Sequence, residues 1–97
     1  MADRAYVFLM EIEFRINGAF SLKDKRKVVK SIIDYARNTL KISSTEISAN
    51  DMKNFAHLGF VTISNDRQTS KNILENLLRR IEESYPIEIT SYFIEEI

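Results

Sequence analysis

Tyr6, Phe8, Met10, Ile12, Phe14 and Ile16 alternate with Val7, Leu9, Glu11, Glu13 and Arg15. A period of two over this length predicts a strand, because successive side chains of an extended backbone point to opposite faces. The first set is apolar throughout and predicts a buried face. The second is apolar at its start and charged at its end, as befits a face that meets water or a partner.

Asn17–Phe20 (NGAF) then turns the chain, and Ser21 with Asp24 three residues on resembles a capping box, with Asp in place of the usual Glu or Gln. From Leu22 to Leu40 the apolar residues Leu22, Val29, Ile32, Ile33, Ala36 and Leu40 recur at helical spacing. The β-branched stretch Ile42–Asn50 predicts a second strand, 51–57 a loop, and Leu58–Asn65 a third strand. Asp66 is placed to cap a second helix, whose stripe is Ile73, Leu74, Leu77, Leu78, Ile81 and Tyr85. Pro86 ends it, since proline has no N–H to donate and disfavours helical geometry in the residue before it. Ile87–Ile97 reads as the last strand.

The order β-α-β-β-α-β, with right-handed crossovers, predicts an α+β ferredoxin-like sandwich: a four-stranded antiparallel sheet with both helices on one face. One domain covers residues 1–97, with no linker or low-complexity tract. The chain has 97 residues, 14 Lys and Arg, 14 Asp and Glu, and a formal net charge of zero. No cysteine is present, which excludes disulfides and thiolate metal sites. Glu11 and Glu13 interrupt the first apolar run before it reaches signal-peptide length, and no run approaches a membrane span. A cytoplasmic location without membrane contact is the expectation.

Charge is unevenly placed within this neutral total. Half of the 14 basic residues fall between Lys23 and Lys41, against two acids, Asp24 and Asp34. On a helical wheel Lys23, Arg26, Lys27, Lys30, Arg37 and Lys41 share one sector, from about 40° to 140° away from Leu22, and Lys25 lies apart. Solvated helix faces usually mix signs through i,i+4 pairs. Cations in the first helical turns also oppose the helix dipole. An external anion accounts for both features, whereas solvation by Lys and Arg stems accounts for neither but remains the competing explanation. At the other end of the chain Glu82, Glu83, Glu88, Glu95 and Glu96 have no basic residue after Arg80.

Catalytic and metal chemistry finds little support. His57 is the single histidine, no metal-ligand spacing occurs, and there is no glycine-rich phosphate loop. Glu11 and Glu13 share a strand face and are expected to keep it soluble or to pair with Lys or Arg. A non-enzymatic protein without cofactor or metal follows. On the sheet face left open by the helices, Val7 and Leu9 with Tyr92 and Ile94 would form an apolar patch, and monomers rarely expose large ones. Contact there with a second copy or another partner is therefore expected. A one-residue slip would exchange the faces of the third and fourth strands.

Two stretches carry a family resemblance. Ser21-Leu22-Lys23-Asp24-Lys25-Arg26 followed by Val28-Val29-Lys30-Ser31, and Ala56, Leu58-Gly59 and Ser64-Asn65-Asp66, resemble the YlxP-like family of small bacterial proteins. The resemblance implies a ferredoxin-like fold and, through gene neighbourhoods with ribosome-maturation factors, a connection with RNA or the ribosome. It brings no catalytic residues. His57 and Lys53-Asn54 depart from that pattern, where an acidic residue and a tryptophan are common, so no function of that loop carries over. The expected function is docking of the basic helix on structured RNA, ribosomal RNA or a ribosomal subunit. The alternative is a homodimeric interaction module whose basic helix receives an acidic partner protein.

Overall fold

The structure is a computed structural model that describes residues 3–18 and 21–97. Its elements are β1 (Tyr6–Ile16), α1 (Leu22–Asp34) continued by a π-helical turn (Tyr35–Thr39), β2 (Ser43–Ser48), β3 (Phe55–Ser64), α2 (Arg67–Ser84) and β4 (Ile87–Glu96). The strands form one antiparallel sheet in the order β2-β3-β1-β4. This is the expected ferredoxin-like arrangement. Of the predicted turn at Asn17–Phe20, Ala19 and Phe20 lie outside the described residues; Gly18 has φ +75°, which glycine adopts without steric cost.

The alternation of β1 sorts its side chains as the pattern predicts. Phe8, Met10, Ile12, Phe14 and Ile16 are buried together with Ala56, Leu58 and Phe60 of β3, Val29 and Ile32 of α1, and Leu74, Leu77 and Ile81 of α2. α2 packs over β3, β1 and β4, while the π-helical turn and α1 lie over β2. The helices meet through Ser31 Oγ and Tyr85 Oη at 2.6 Å and through the Arg80 guanidinium 4.0 Å from the centroid of the Tyr35 ring.

Both predicted caps form. Ser21 Oγ accepts from the Asp24 backbone N–H at 3.2 Å. The Asp66 carboxylate accepts from the Thr69 hydroxyl at 2.8 Å and from the Thr69 backbone N–H at 2.9 Å. These bonds, the hydroxyl's first, hold the Asp66 carboxyl below its ordinary value of 3.8. A depressed carboxyl contributes stability above its unfolded pKa, and the contribution disappears as pH falls through the folded value. Asp66→Ala is therefore expected to melt below the wild type at neutral pH. The gap should narrow as pH drops below 3.8, measured by circular dichroism.

Four boundaries differ from the sequence reading. α2 begins at Arg67, directly after its cap, and β3 begins at Phe55, because the long β1 offers pairing as far as Arg15↔Phe55. β2 is confined to Ser43–Ser48. The first helix does not run uniformly to Leu40. Its last turn widens so that Leu40 N–H bonds the Tyr35 carbonyl at 3.2 Å and Ile42 N–H bonds the Ala36 carbonyl at 3.0 Å. Lys41 ends it at φ +60°, in the left-handed position that usually falls to glycine.

The placement of Tyr92 and Ile94 on the open sheet face is corrected. Ile87 pairs with Ile16 and Ile89 with Phe14, but Ser91 is the next β4 residue to pair, opposite Glu13. Thr90 is thus an extra residue, a β-bulge, and it reverses the alternation beyond it. Tyr92 faces Ile12 and Ile94 faces Met10, on the side of α2, whereas Phe93 and Glu95 project from the open face opposite Glu11 and Leu9. Ile94→Ala is expected to cost about 2 kcal/mol, as truncation of a packed aliphatic does, and Phe93→Ala under about 1 kcal/mol. Urea unfolding of the two variants tests this register.

Candidate nucleic-acid interface

α1 turns its flanks in two directions. Ser31 and Tyr35 face α2, as their contacts with Tyr85 and Arg80 require. The opposite flank overhangs the edge strand β2, where Arg37 Nη2 donates to the Ser44 carbonyl at 2.6 Å. That outer flank carries the basic stripe. Lys23, Arg26, Lys27, Lys30, Arg37 and Lys41 are all exposed.

These six are not equivalent. Lys30 Nζ lies 2.6 Å from Asp34, one helical turn on, and Arg37 is engaged with β2. Lys23, Arg26, Lys27 and Lys41 have no ion pair or side-chain hydrogen bond among the described residues. Between the arginines, Arg26, Val29, Lys30, Ile33, Asp34 and Arg37 line a shallow depression with an aliphatic floor. The arrangement along the helix is a set of exposed cations at the start of α1, a guanidinium held in place by β2, and another ammonium beyond the last turn.

Lys25, in the midst of this basic run, points the other way. It is 1 % exposed, its ammonium lies 3.0 Å from a carboxylate oxygen of Glu46, and it donates to the Ala49 carbonyl. It joins α1 to the far end of β2. The C-terminal acids also find partners that local sequence does not provide: Glu88 binds Arg15 at 2.8 Å and Glu96 binds Arg67 at 2.9 Å.

The open face of the sheet holds Val7 and Leu9 as predicted, together with Val61, Phe93 and Ile63, the last two 41 % and 67 % exposed. Beside this apolar end lies a polar chain that the sequence reading missed. Glu11 Oε1 is 2.8 Å from His57 Nε2, and His57 Nδ1 is 2.9 Å from Ser48 Oγ. Glu11 thus pairs with histidine and not with Lys or Arg. A carboxylate only accepts hydrogen bonds, so in the neutral ring Nε2 carries the proton towards Glu11. Nδ1 is then the acceptor, and the Ser48 hydroxyl donates to it. No periodic signal links residues on three strands at these separations.

A family profile described as "Protein of unknown function (DUF503)" matches residues 7–94. The chain belongs to the DUF503 family. No curated protein sequence matches it. Among solved structures, the DUF503 chain is similar to the YXEP protein of Bacillus subtilis, a dinuclear metal-binding peptidase of the M20 family. The TM-score is 0.60 at 16 % identity, over 96 % of this chain and 26 % of the peptidase. The chain thus spans about a quarter of that enzyme's length. A designed protein with a ferredoxin fold matches at TM-score 0.55 and 17 % identity, over 94 % of this chain and 82 % of that one. The 30S ribosomal protein S6 of Thermotoga maritima matches at 0.52 and 10 % identity, over 97 % and 89 %. These likenesses show the ferredoxin-like fold. Among the described residues no helix is long and apolar enough to cross a membrane, and no three His, Cys, Asp or Glu side chains are grouped to hold a metal ion.

Proposed function

We propose that this protein docks the outer flank of α1 on structured RNA, and that the RNA is ribosomal. The observation that carries this reading is a helix flank turned away from α2 on which Lys23, Arg26, Lys27 and Lys41 have no partner among the described residues. Four such cations repel one another and gain nothing from the fold; each phosphate they neutralise releases a condensed counterion. The resemblance to the YlxP-like family, with its ribosome-maturation neighbourhood, supports the choice of RNA. Docking assigns no reaction to this flank, and the protein acts in the cytoplasm by occupying a site. Base stacking on the sheet is disfavoured, because Glu11, Glu13 and Glu95 would face the phosphates.

Binding to ribosomal subunits and to their naked RNA across a salt series tests the proposal. With four phosphate contacts on duplex-like RNA, the logarithm of the affinity should fall with the logarithm of salt at a slope of about −3 to −4, taking the duplex-DNA coefficient as guide. Absence of binding to naked RNA, with binding to an acidic protein of the subunit instead, would replace RNA by a protein partner.

The apolar end of the open face favours a second contact. Val7, Leu9, Ile63 and Phe93 would meet a second copy of the chain there, and sedimentation at micromolar concentration separates dimer from monomer. Ile63→Asp is expected to abolish such a dimer without unfolding the protomer.

A further inference from the structure

The segment Glu46–Ala49 is built with more care than the end of an edge strand requires. Glu46 pairs with Leu58 and Ser48 with His57, so Ile47 is an extra residue, a second β-bulge. In a regular strand, consecutive side chains alternate; the bulge lets Ile47 and Ser48 both reach the open face. Three features hold it. Lys25 reaches from α1 to grip Glu46 on one side and the Ala49 carbonyl on the other. Gly59 gives Ile47 room to lie against β3, since a Cβ there would come within 2.8 Å of Ile47 Cδ1. Ala49 turns the chain at φ +64°, a left-handed conformation that side chains other than glycine seldom adopt. The result aims the Ser48 hydroxyl at His57, whose other nitrogen is held by Glu11.

We infer that Ser48, His57 and Glu11 form an acyl-accepting site in which Ser48 is the nucleophile, His57 the general base and Glu11 a positioning residue. The Glu11 carboxylate keeps the neutral imidazole in its Nε2–H form, which leaves Nδ1 free to take the serine proton. Ser48 and His57 lie 2.9 Å apart, within the reach such a proton transfer needs. Ser48 does not itself line a groove, but its chain neighbour Ile47 does: with Leu9, Ser43, Ser44, Thr45, Gly59 and Val61 it borders a small, largely apolar groove on the open face. The matching ligand is an ester with a short aliphatic acyl group. In the reaction the Ser48 Oγ–carbonyl bond forms and the bond to the leaving alkoxide or phenoxide breaks. The serine proton passes to His57 Nδ1 and from there to the leaving oxygen. Water later cleaves the acyl-serine with His57 again as base, and a carboxylic acid departs. This site is on the opposite side of the sheet from the basic flank, and it stands or falls independently of RNA docking.

The test is incubation of the full chain with p-nitrophenyl butyrate, following p-nitrophenolate release and mapping butyryl groups by mass spectrometry. The expected result is a burst approaching one equivalent with the butyryl group on Ser48, absent in Ser48→Ala. His57→Gln should slow acylation by about 10²–10⁴-fold. Glu11→Gln should slow it as well, because the amide can donate to Nε2 and reverse the tautomer. The chain has a single histidine, so the ring ¹⁵N spectrum reports that tautomer without ambiguity. Butyryl groups on lysines or the N-terminus alone, a Ser48→Ala variant as reactive as the wild type, or a Glu11→Gln variant with unchanged rate and tautomer would each overturn the inference. Ser48 is exposed, so its alanine variant is expected to keep the wild-type melting curve.

Discussion

Lys25→Ala is expected to lose about 3 kcal/mol of stability, the largest effect of any single charged substitution in this protein. The ammonium is buried, donates to the Ala49 carbonyl and forms an ion pair at 3.0 Å with Glu46 Oε2, a buried oxygen that has no hydrogen bond among the described residues. Removing it strands a carboxylate that is only 25 % exposed, together with a backbone carbonyl at the end of β2. Breaking a buried pair from one side typically costs about 3–5 kcal/mol, and the partial exposure of Glu46 places the loss at the lower end. For a domain of this size that is a large share of the total stability, and about 4–8 °C of melting temperature accompanies each kcal/mol. The paired change Lys25→Met with Glu46→Leu should recover most of the loss, because an apolar pair needs no desolvated charge. Urea unfolding of the two variants measures both terms. A loss under about 1 kcal/mol in Lys25→Ala would mean that Glu46 finds solvent without Lys25 and that the pair does not hold the β2 bulge.

Charge reversal at Lys23, Arg26 and Lys27 together is expected to weaken RNA binding by about 10²–10³-fold near 0.1 M salt. Three phosphate contacts are lost at about 0.9 logarithmic units each per decade of salt, so the salt slope should shrink by about 2.7. The fold should hardly respond. All three side chains are exposed and have no partner among the described residues, and glutamates in the first turns of α1 suit the helix dipole better than lysines do. Arg37→Ala serves as the contrasting control: it removes the bond to Ser44 and should lower stability while changing the salt slope by no more than one contact. An unchanged slope in the triple variant would remove the α1 flank from the interface. A lost slope with an unchanged melting curve would assign the stripe to docking and not to the fold.

The residues differ in how far local pattern could place them. The helix-covered face of β1 follows from alternation alone, because a central strand covered by helices has no freedom to expose phenylalanine and isoleucine. Ser21 and Asp66 follow from capping chemistry, which acts within one helical turn. The same local reasoning failed at β4, where Thr90 as an extra residue turned Tyr92 and Ile94 to the helix-covered face and Phe93 to the open face. It also did not separate the engaged cations of the stripe, Lys30 with Asp34 and Arg37 with the Ser44 carbonyl, from the others. The wheel separated Lys25 from the others, but only the tertiary structure shows it buried between α1 and β2.

Partners far apart in sequence account for the remaining differences. Arg15 with Glu88, Arg67 with Glu96, and the chain from Glu11 through His57 to Ser48 join strands that meet only when the sheet assembles. Element order, the ferredoxin-like topology and the location of concentrated charge were determined by sequence, because hydrophobic period, helix caps and helix phase act over a few residues. Which cations remain free, which face each β4 side chain takes, and where Ser48 points were decided by the tertiary structure. Those outcomes depend on two bulges and a set of cross-strand partners, and loss of the extra residue in either bulge would move every side chain beyond it to the other face.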